Sequence, residues 1–185
     1  RYNIMGPFVL VPFLECRHSI RCMKHRVWGN VSVNGKTFSF NGAEGYWEGD
    51  RGRSFPREYV WTQCSFPEGA LMLSVADIPI VGFHFRGSIG VVVLDGREYR
   101  FATYLGAKTS EIGNGRVKVL QGRMELEAEL LEKTGKPLRA PAQGEMARTI
   151  HESAACRARY RFRKNGRTLL AFETDRASFE YEYRI

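Results

Sequence analysis

Residues 45–63 bring acids, arginines and aromatic side chains together in one short segment. If residues 46–50 are extended, Tyr46, Glu48 and Asp50 point to the same side of the strand. Burial and mutual repulsion can separate the pKa values of two such carboxyl groups, so that one remains protonated at neutral pH. Glu48 and Asp50 are therefore candidate catalytic residues that would act as general acids.

The alternative for these two carboxylates is structural. Glu48 and Asp50 could instead form ion pairs with Arg51 and Arg53 that hold a loop in place. The residue pattern alone favours this structural alternative over catalysis.

Aromatic and amide side chains near this segment are candidates for binding a ligand. Trp61 and Gln63 share a face of the next predicted strand, where a buried Gln63 needs a hydrogen bond to a ligand or to the backbone. Phe83 and Phe85 point to one side of a later segment, and His84 points to the other side as a surface or structural histidine. The candidate ligand-binding residues are Tyr46, Trp47, Arg53, Trp61, Gln63, Phe83, Phe85 and Tyr104.

Metal and cofactor chemistry have no support in the sequence. The motifs GxSxG, GxGxxG, the P-loop and HExxH are all absent. Cys16, Cys22, Cys64 and Cys156 form no CxxC pair and have no histidines at zinc spacing near them. A disulfide between Cys16 and Cys22 is an alternative, but reduced thiols in a cytoplasmic protein are the simpler interpretation. We therefore predict no metal and no cofactor.

The charge and hydropathy patterns limit the classes of partner. A net charge of +8 and a pI near 9.5 suggest nucleic-acid binding. The arginines, however, are scattered among acids, and those of residues 157–164 share one strand face, which a solvated surface explains. The longest apolar run, residues 8–14, is too short to span a bilayer. We expect neither a nucleic-acid partner nor stable membrane insertion.

The elements that would position these residues are almost all strands. Asn34-Gly35, Asp95-Gly96 and Asn165-Gly166 supply the positive φ angles that tight hairpin turns need. The predicted strands cover residues 28–33, 37–40, 59–66, 70–76, 89–94, 99–104, 124–133, 157–163, 168–174 and, as a further neighbour, 178–183.

Two segments need separate interpretation. Residues 124–133 alternate apolar residues with glutamates, which predicts a half-buried strand rather than a helix. Residues 137–144 contain two prolines and end in glycine, and we predict a loop there. Many strands joined by short turns predict one all-β domain over residues 1–185, an antiparallel barrel or sandwich. The apolar interior of a barrel is the expected place for a ligand.

Five sequence runs, in order along the chain, resemble those of a known family. The first reads Gly-Tyr-Trp-Glu-Gly-Asp-Arg-Gly-Arg-Ser-Phe-Pro over residues 45–56, and the second is an aromatic-rich strand that ends in Trp-Thr-Gln-Cys over residues 61–64. The others are residues 71–79, residues 99–108 and the run Gly-Glu-Met-Ala-Arg-Thr-Ile-His-Glu-Ser over residues 144–153. On these runs the chain resembles the bacterial branch of the tocopherol cyclase-like family.

The resemblance implies a fold and a partner. Members of the family are similar to lipocalin-type barrels, so it implies a lipocalin-like (calycin-type) antiparallel β-barrel or half of a double barrel. Family chains are usually longer, and residues 8–16 match the middle of the family chain. The chain therefore resembles the C-terminal half. It would pack against the N-terminal half of the same protein or against a homodimer partner.

The resemblance also implies a reaction. The best known family activity closes a chromanol ring on a prenylated quinol: an acid protonates the prenyl alkene, and the phenolic oxygen captures the cation. By motif position, Glu48 or Asp50 would be the acid, and Gln63 would orient the ligand's oxygen. The pocket walls would be Tyr46, Trp47 and Trp61.

The chain departs from the family pattern beside the proposed acid. Gly49 stands where lysine is common, Arg51 where tryptophan is common, and Ser65-Phe66 where the family often has Asn-His. An arginine next to the acid would favour its ionised form, which weakens the proton-donor assignment. We expect a lipocalin-like protein that binds a hydrophobic isoprenoid or quinone-like ligand, as a cyclase or hydratase that protonates an alkene. The alternative is a non-catalytic carrier barrel.

Overall fold

The computed structural model describes residues 3–12, 14–80, 83–132 and 135–183, without the side chains of Ile80 and Phe83. Nearly all of the described chain is strand, which confirms the all-β, antiparallel prediction. Nothing helical in these ranges has the length and apolar character needed to cross a membrane. The strands are β1 (Cys16–Val33), β2 (Lys36–Gly52), β3 (Tyr59–Phe66), β4 (Gly69–Ile80), β5 (Phe83–Leu94), β6 (Arg97–Ala102), β7 (Lys108–Gly113), β8 (Arg116–Gln121), β9 (Met124–Leu130), β10 (Lys136–Ala142), β11 (Glu145–Lys164) and β12 (Arg167–Tyr181).

The three predicted hairpin turns are confirmed. Asn34, Asp95 and Asn165 all have φ near +50°, and each is followed by a glycine with positive φ. The acidic segment also forms the predicted strand, β9, because its apolar side chains face the core while its glutamates face solvent. Residues 178–183 were expected to form a separate neighbouring strand, but 178–181 continue β12 without a break.

The loop prediction for residues 137–144 is wrong. Residues 136–142 form β10, which pairs antiparallel with β11, Leu138 lying opposite Ile150. Pro137 and Pro141 fit there because β10 pairs with β11 alone, so a missing N–H breaks no ladder on its other side. The two prolines suggested a loop in the sequence, but in the structure they belong to a strand that is paired on one side only.

The strands form two sheets of unequal size. β1 and β2 pair only with each other, and the other ten form one antiparallel sheet in the order β6-β5-β4-β3-β12-β11-β9-β8-β7, with β10 attached to β11. The large sheet curls and brings strands that are far apart in its order close together. The ring centroids of Phe101 in β6 and Phe162 in β11, for example, lie only 6.0 Å apart. The Gln121 side chain in β8 bonds the backbone of β6 on both sides, at Ala102 N and Arg100 O, each 2.9 Å away. The described residues contain no β6–β7 ladder, so the closed lipocalin-like barrel stays a prediction.

The inside of the curled sheet is a packed core. Its largest fully buried side chains come from strands all around the curl: Leu71, Leu73, Phe101, Leu126, Tyr160, Phe162 and Phe179. We expected the ligand in this interior, but these large side chains fill the space. A mostly apolar cavity lies elsewhere, on the outer face of the sheet.

The arginine face of β11 is a solvated strand face, as expected. Arg159 and Arg161 pair with Glu129 and Glu127 of the neighbouring β9 at 3.0 and 2.5 Å. These ion pairs lie on the outside of the sheet and compensate much of the positive charge of this strand.

Candidate functional site

The candidate site is a cavity of about 130 Å³ between the two sheets. Its floor is the outer face of β12, β3, β4 and β5, where Glu180, Trp61, Ser74 and Ile89 form one cross-strand row. Directly paired residues point to the same side of a sheet, so the register alone brings this row to the cavity. The even-numbered residues of β3, such as Val60, point the opposite way into the packed core.

The apolar end of the cavity is closed by residues 3–12, which we call the N-terminal strap. Phe8 of the strap stacks on Phe85 with ring centroids 5.8 Å apart and meets Tyr104 edge to face at 6.1 Å. Tyr104 donates a hydrogen bond to the Ile4 carbonyl oxygen at 3.0 Å, and its ring lies so close to Gly6 that a Cβ there would be 2.5 Å from it. The strap therefore forms an ordered, apolar wall.

The polar end is built on a histidine between two carboxylates. His18 and Asp50 are directly opposite in β1 and β2, and His18 Nδ1 lies 2.9 Å from Asp50 Oδ1. His18 Nε2 lies 3.0 Å from Glu48 Oε2, and the two side chains form an ion pair. Burial by itself lowers the pKa of His18, whereas the bond to Asp50 and the two negative charges raise it to about 9. His18 is therefore a cation at neutral pH.

Glu48 collects further donors. The Tyr46 hydroxyl and Trp61 Nε1 both donate to Glu48 Oε2, the indole at 3.2 Å. Burial and the charge of Glu48 raise the pKa of Tyr46, so its hydroxyl keeps the proton. Trp61 also lies directly opposite Glu180 across β3 and β12, and Trp61, Glu48 and Glu180 all line the cavity.

Glu180 is the carboxyl group whose pKa is most clearly suited to holding a proton at neutral pH. Burial, together with the negative charges of Glu152, Asp50 and Glu48, raises its pKa to about 7, although a hydrogen bond from Tyr59 opposes the rise. Burial also raises the pKa of Tyr59, which remains a donor. A partly protonated carboxyl group thus faces an apolar cavity beside an indole.

The cysteine at this site is not an activated nucleophile. Cys16 lines the cavity, and burial together with the charge of Asp50 raises the pKa of its thiol, so it stays protonated. All four cysteines carry free thiols, as expected. No group of three His, Cys, Asp or Glu side chains suited to a metal occurs within the described ranges.

The structure brings part of the predicted site together. Tyr46, Glu48 and Asp50 do share one side of β2, and Glu48, Asp50, Trp61 and Phe85 line the cavity. The predicted ion pairs to Arg51 and Arg53 are wrong. Both arginines are exposed and make no ion pair in the described part of the chain, and His18 takes both carboxylates instead. Arg51 therefore does not pair with Glu48 or Asp50 and does not favour the ionised carboxylate by direct contact, as its position in the sequence had suggested.

The other predicted ligand-binding residues lie outside the cavity lining. Trp47 is on the opposite face of β2 and is 63% exposed, and Gln63 is buried with its amide 3.4 Å from Ser65 Oγ. Arg53 is exposed, and Tyr104 supports the strap from behind. The backbone of Phe83 begins β5, but its side chain lies outside the described residues.

Sequence reasoning missed His18, Tyr59 and Glu180. Glu180 lay in a predicted strand, but its burial depends on pairing with β3, more than a hundred positions away along the chain. His18 lies 32 positions from Asp50, and only the hairpin register places the two together. The Asn34-Gly35 turn marks the hairpin, but register shifts between the turn and His18 mean that counting back from it would place His18 opposite Arg51 rather than Asp50.

Comparison with known proteins identifies the family. The family profile described as tocopherol cyclase-like matches residues 5–181, nearly the whole chain, which confirms the resemblance seen in the five runs. No curated protein matches significantly, and no solved structure does. Because this match covers nearly the whole chain, the protein belongs to the tocopherol cyclase-like family.

Proposed function

We propose that the protein binds a hydrophobic isoprenoid or quinone-like ligand in the outer-face cavity and cyclises or hydrates it by protonating an alkene. One observation carries this proposal: Glu180, with a pKa of about 7, faces an apolar cavity next to Trp61 and Tyr59. Alkene protonation needs an acid that is still protonated near neutral pH in a dry site.

The proton donor in this proposal is Glu180 rather than Glu48 or Asp50. The latter two serve as counter-ions of the His18 cation. Glu180 transfers its proton to an alkene carbon, which leaves a carboxylate and a carbocation. A phenolic oxygen of the ligand then bonds to the cation and returns its proton to Glu180, so the product is an isomer of the substrate. In a hydratase, water takes the place of the phenol.

Two features of the cavity support a cationic intermediate. The Trp61 indole offers an aromatic face, which attracts a cation, and Glu48 adds negative charge at the N–H edge of that indole. The volume of about 130 Å³ is below the roughly 300–1,000 Å³ of typical ligand pockets, so the cavity suits one reacting end of a longer ligand. The curled large sheet acts as a lipocalin-like scaffold, and the ligand binds outside its packed interior.

The test is turnover of a prenylated hydroquinone by the purified protein, followed by liquid chromatography and mass spectrometry. We expect a product of unchanged mass from cyclisation, or one heavier by one water from hydration, and a loss of turnover of about a hundredfold or more in Glu180→Gln, since a general acid contributes about that much. Glu173→Gln is the control, because Glu173 lies on the same strand in an exposed ion pair with Arg159. Full activity of Glu180→Gln would remove Glu180 from the mechanism.

A non-catalytic carrier is the competing function, and the mostly apolar strap wall is what favours it. Native mass spectrometry of the purified protein separates the two. A tightly retained, chemically unmodified lipid with no turnover indicates a carrier, whereas conversion and release of added ligand indicate an enzyme.

A further inference from the structure

The hairpin of β1 and β2 extends away from the body as an exposed arm. Every residue from Trp28 to Asn41 is exposed, and these strands pair only with each other. At about 3.3 Å per residue, the six residues from Trp28 to Val33 span roughly 20 Å. We call residues 28–41 the arm.

One face of the arm is apolar. Val31 lies opposite Phe38, and Phe40 lies opposite Gly29, so these side chains share a face. Val31 and Val33 are 51% and 52% exposed, and Phe38 and Phe40 are 44% and 37% exposed. The other face of the arm carries the small polar residues Asn30, Ser32, Thr37 and Ser39. An amphipathic strand pair with its apolar side open to solvent indicates a docking surface.

The charged side chains of the arm and of the β1 segment before it are all positive, and Glu44 is the first acid after the arm. Residues 16–43 include five lysines and arginines and no aspartate or glutamate. Of these cations, Lys24 is compensated by Glu44 at 2.9 Å, while the Lys36 amine sits at the arm's turn, 5.1 Å from the centroid of the Phe38 ring. The arm therefore combines apolar side chains with a positive charge at its tip, Lys36, that forms no ion pair with any residue the structure describes.

We propose that the arm docks reversibly on the surface of an anionic lipid bilayer, with Val31, Val33, Phe38 and Phe40 at the headgroup boundary. Positive charge near an apolar face is the pattern of interfacial membrane binding, in which anionic lipids attract the cations and the acyl region takes the apolar side chains. Trp28, 66% exposed at the base of the arm, pairs with Asn41 on the opposite face and is not part of the docking face. The same positive charge disfavours pairing with the arm of a second copy, because like charges would face each other.

Co-sedimentation with vesicles tests this proposal independently of any turnover. We expect binding to vesicles of equal parts phosphatidylcholine and phosphatidylglycerol, and much weaker binding to phosphatidylcholine alone or at high salt. The variant Phe38→Ser/Phe40→Ser should lose about tenfold or more in vesicle affinity, because two aromatic side chains no longer leave water. The matched control is Thr37→Ala/Ser39→Ala on the polar face of the same strand, which should bind as the wild type does.

Three outcomes would overturn the proposal. They are absence of binding to the anionic vesicles, equal binding by the two double variants, and equal binding to charged and uncharged vesicles. Light scattering completes the test, because a dimer that Phe38→Ser/Phe40→Ser dissociates would show that the arm instead docks on a second copy. All variants are checked for a wild-type thermal transition first, and the exposed position of the arm makes a loss of folding unexpected.

Discussion

At the scale of single residues, the site separates its acids by environment. Glu48 and Asp50 share the His18 cation, whereas Glu180 is buried beside Tyr59 and near other negative charges. Both His18 and Glu180 thus have raised pKa values within one cavity, but for different reasons: neighbouring carboxylates hold the proton on the imidazole, and burial favours the proton on the carboxyl group. This is the arrangement that proton transfer at neutral pH requires.

The raised pKa of Glu180 predicts a pH-dependent cost in stability. The carboxyl pKa rises from 4.5 to about 7 on folding, so the folded state binds the proton more tightly. The free energy of unfolding therefore falls as pH rises from 4.5 through about 7, and the cost is complete above that range. Glu180→Gln removes it. We expect urea unfolding to show the variant more stable by about 3 kcal/mol near pH 8, and little difference near pH 5. An equal effect at both pH values would contradict the shift.

His18 predicts the opposite dependence. Its pKa rises from 6.5 to about 9 on folding, so its contribution to stability is complete below pH 6.5 and is lost as pH rises through about 9. We expect His18→Gln to be less stable than the wild type by about 3 kcal/mol near neutral pH, and the two to converge above about pH 9 in urea titrations. His84→Gln is the control, because His84 pairs with Asp77 in an exposed position and should change little.

The part of the site that could be predicted is the part encoded locally. Alternation within β2 places Tyr46, Glu48 and Asp50 on one side, and this needs only the period of a strand. The partners of that face, His18 and Glu180, come from distant strands, and no local pattern reports which strands pair. The same reason explains the wrong ion pairs. Arg51 and Arg53 are close to Glu48 and Asp50 in sequence, but the partner in space is His18 from another strand.

At the scale of elements, one glycine controls how β2 ends. A Cβ on Gly52 would lie 1.9 Å from the Glu15 carbonyl oxygen, which accepts a hydrogen bond from Arg53 N at 2.8 Å. The close approach draws the end of the hairpin against the start of β1, beside Glu15 and Cys16 of the cavity wall. A glycine is required here because no other side chain leaves room for that backbone contact.

Substitution of this glycine should loosen the polar end of the cavity. We expect Gly52→Ala to lower the free energy of unfolding by about 1–3 kcal/mol, as overpacking does, and to speed hydrogen exchange at the Arg53 amide. Gly49→Ala is a matched control on the same strand, because a Cβ there meets nothing within 4 Å. Equal stability of the two variants, measured by urea unfolding, would contradict the steric explanation.

Strands were predictable where a turn motif or an alternation of apolar and polar residues marks them, and less predictable at the edges of the sheet. The Asn-Gly and Asp-Gly turns and the acidic alternation of β9 were read correctly because their signals are local. β10 was read as a loop because its prolines are turn residues in most contexts, and only its position on the edge of β11 makes them acceptable in a strand.

At the scale of the whole molecule, the curl of the large sheet decides where a ligand can bind. Strand count and short turns predicted an all-β barrel or sandwich, but they could not predict that large side chains such as Tyr160 and Phe162 would fill the interior of the curled sheet. The covering hairpin and strap then create the cavity outside. The expected N-terminal half or homodimer partner, the cytoplasmic location and the absence of a nucleic-acid partner stay predictions.

The Gln121 side chain links β8 to β6 across the opening of the large sheet, where Ser88 Oγ and Thr109 Oγ1 also lie 2.8 Å apart, and the Gln121 link gives the last prediction. Gln121 Oε1 accepts from the buried Ala102 amide, and its Nε2 donates to Arg100 O. Gln121→Ala leaves a buried N–H without its partner, so we expect a loss of about 1–3 kcal/mol in urea unfolding and faster hydrogen exchange at Ala102. Gln121→Glu keeps the acceptor but not the donor, and it should preserve protection at Ala102 while still losing stability. Unchanged exchange at Ala102 in Gln121→Ala would mean that the ends of the curl hold together without this bridge.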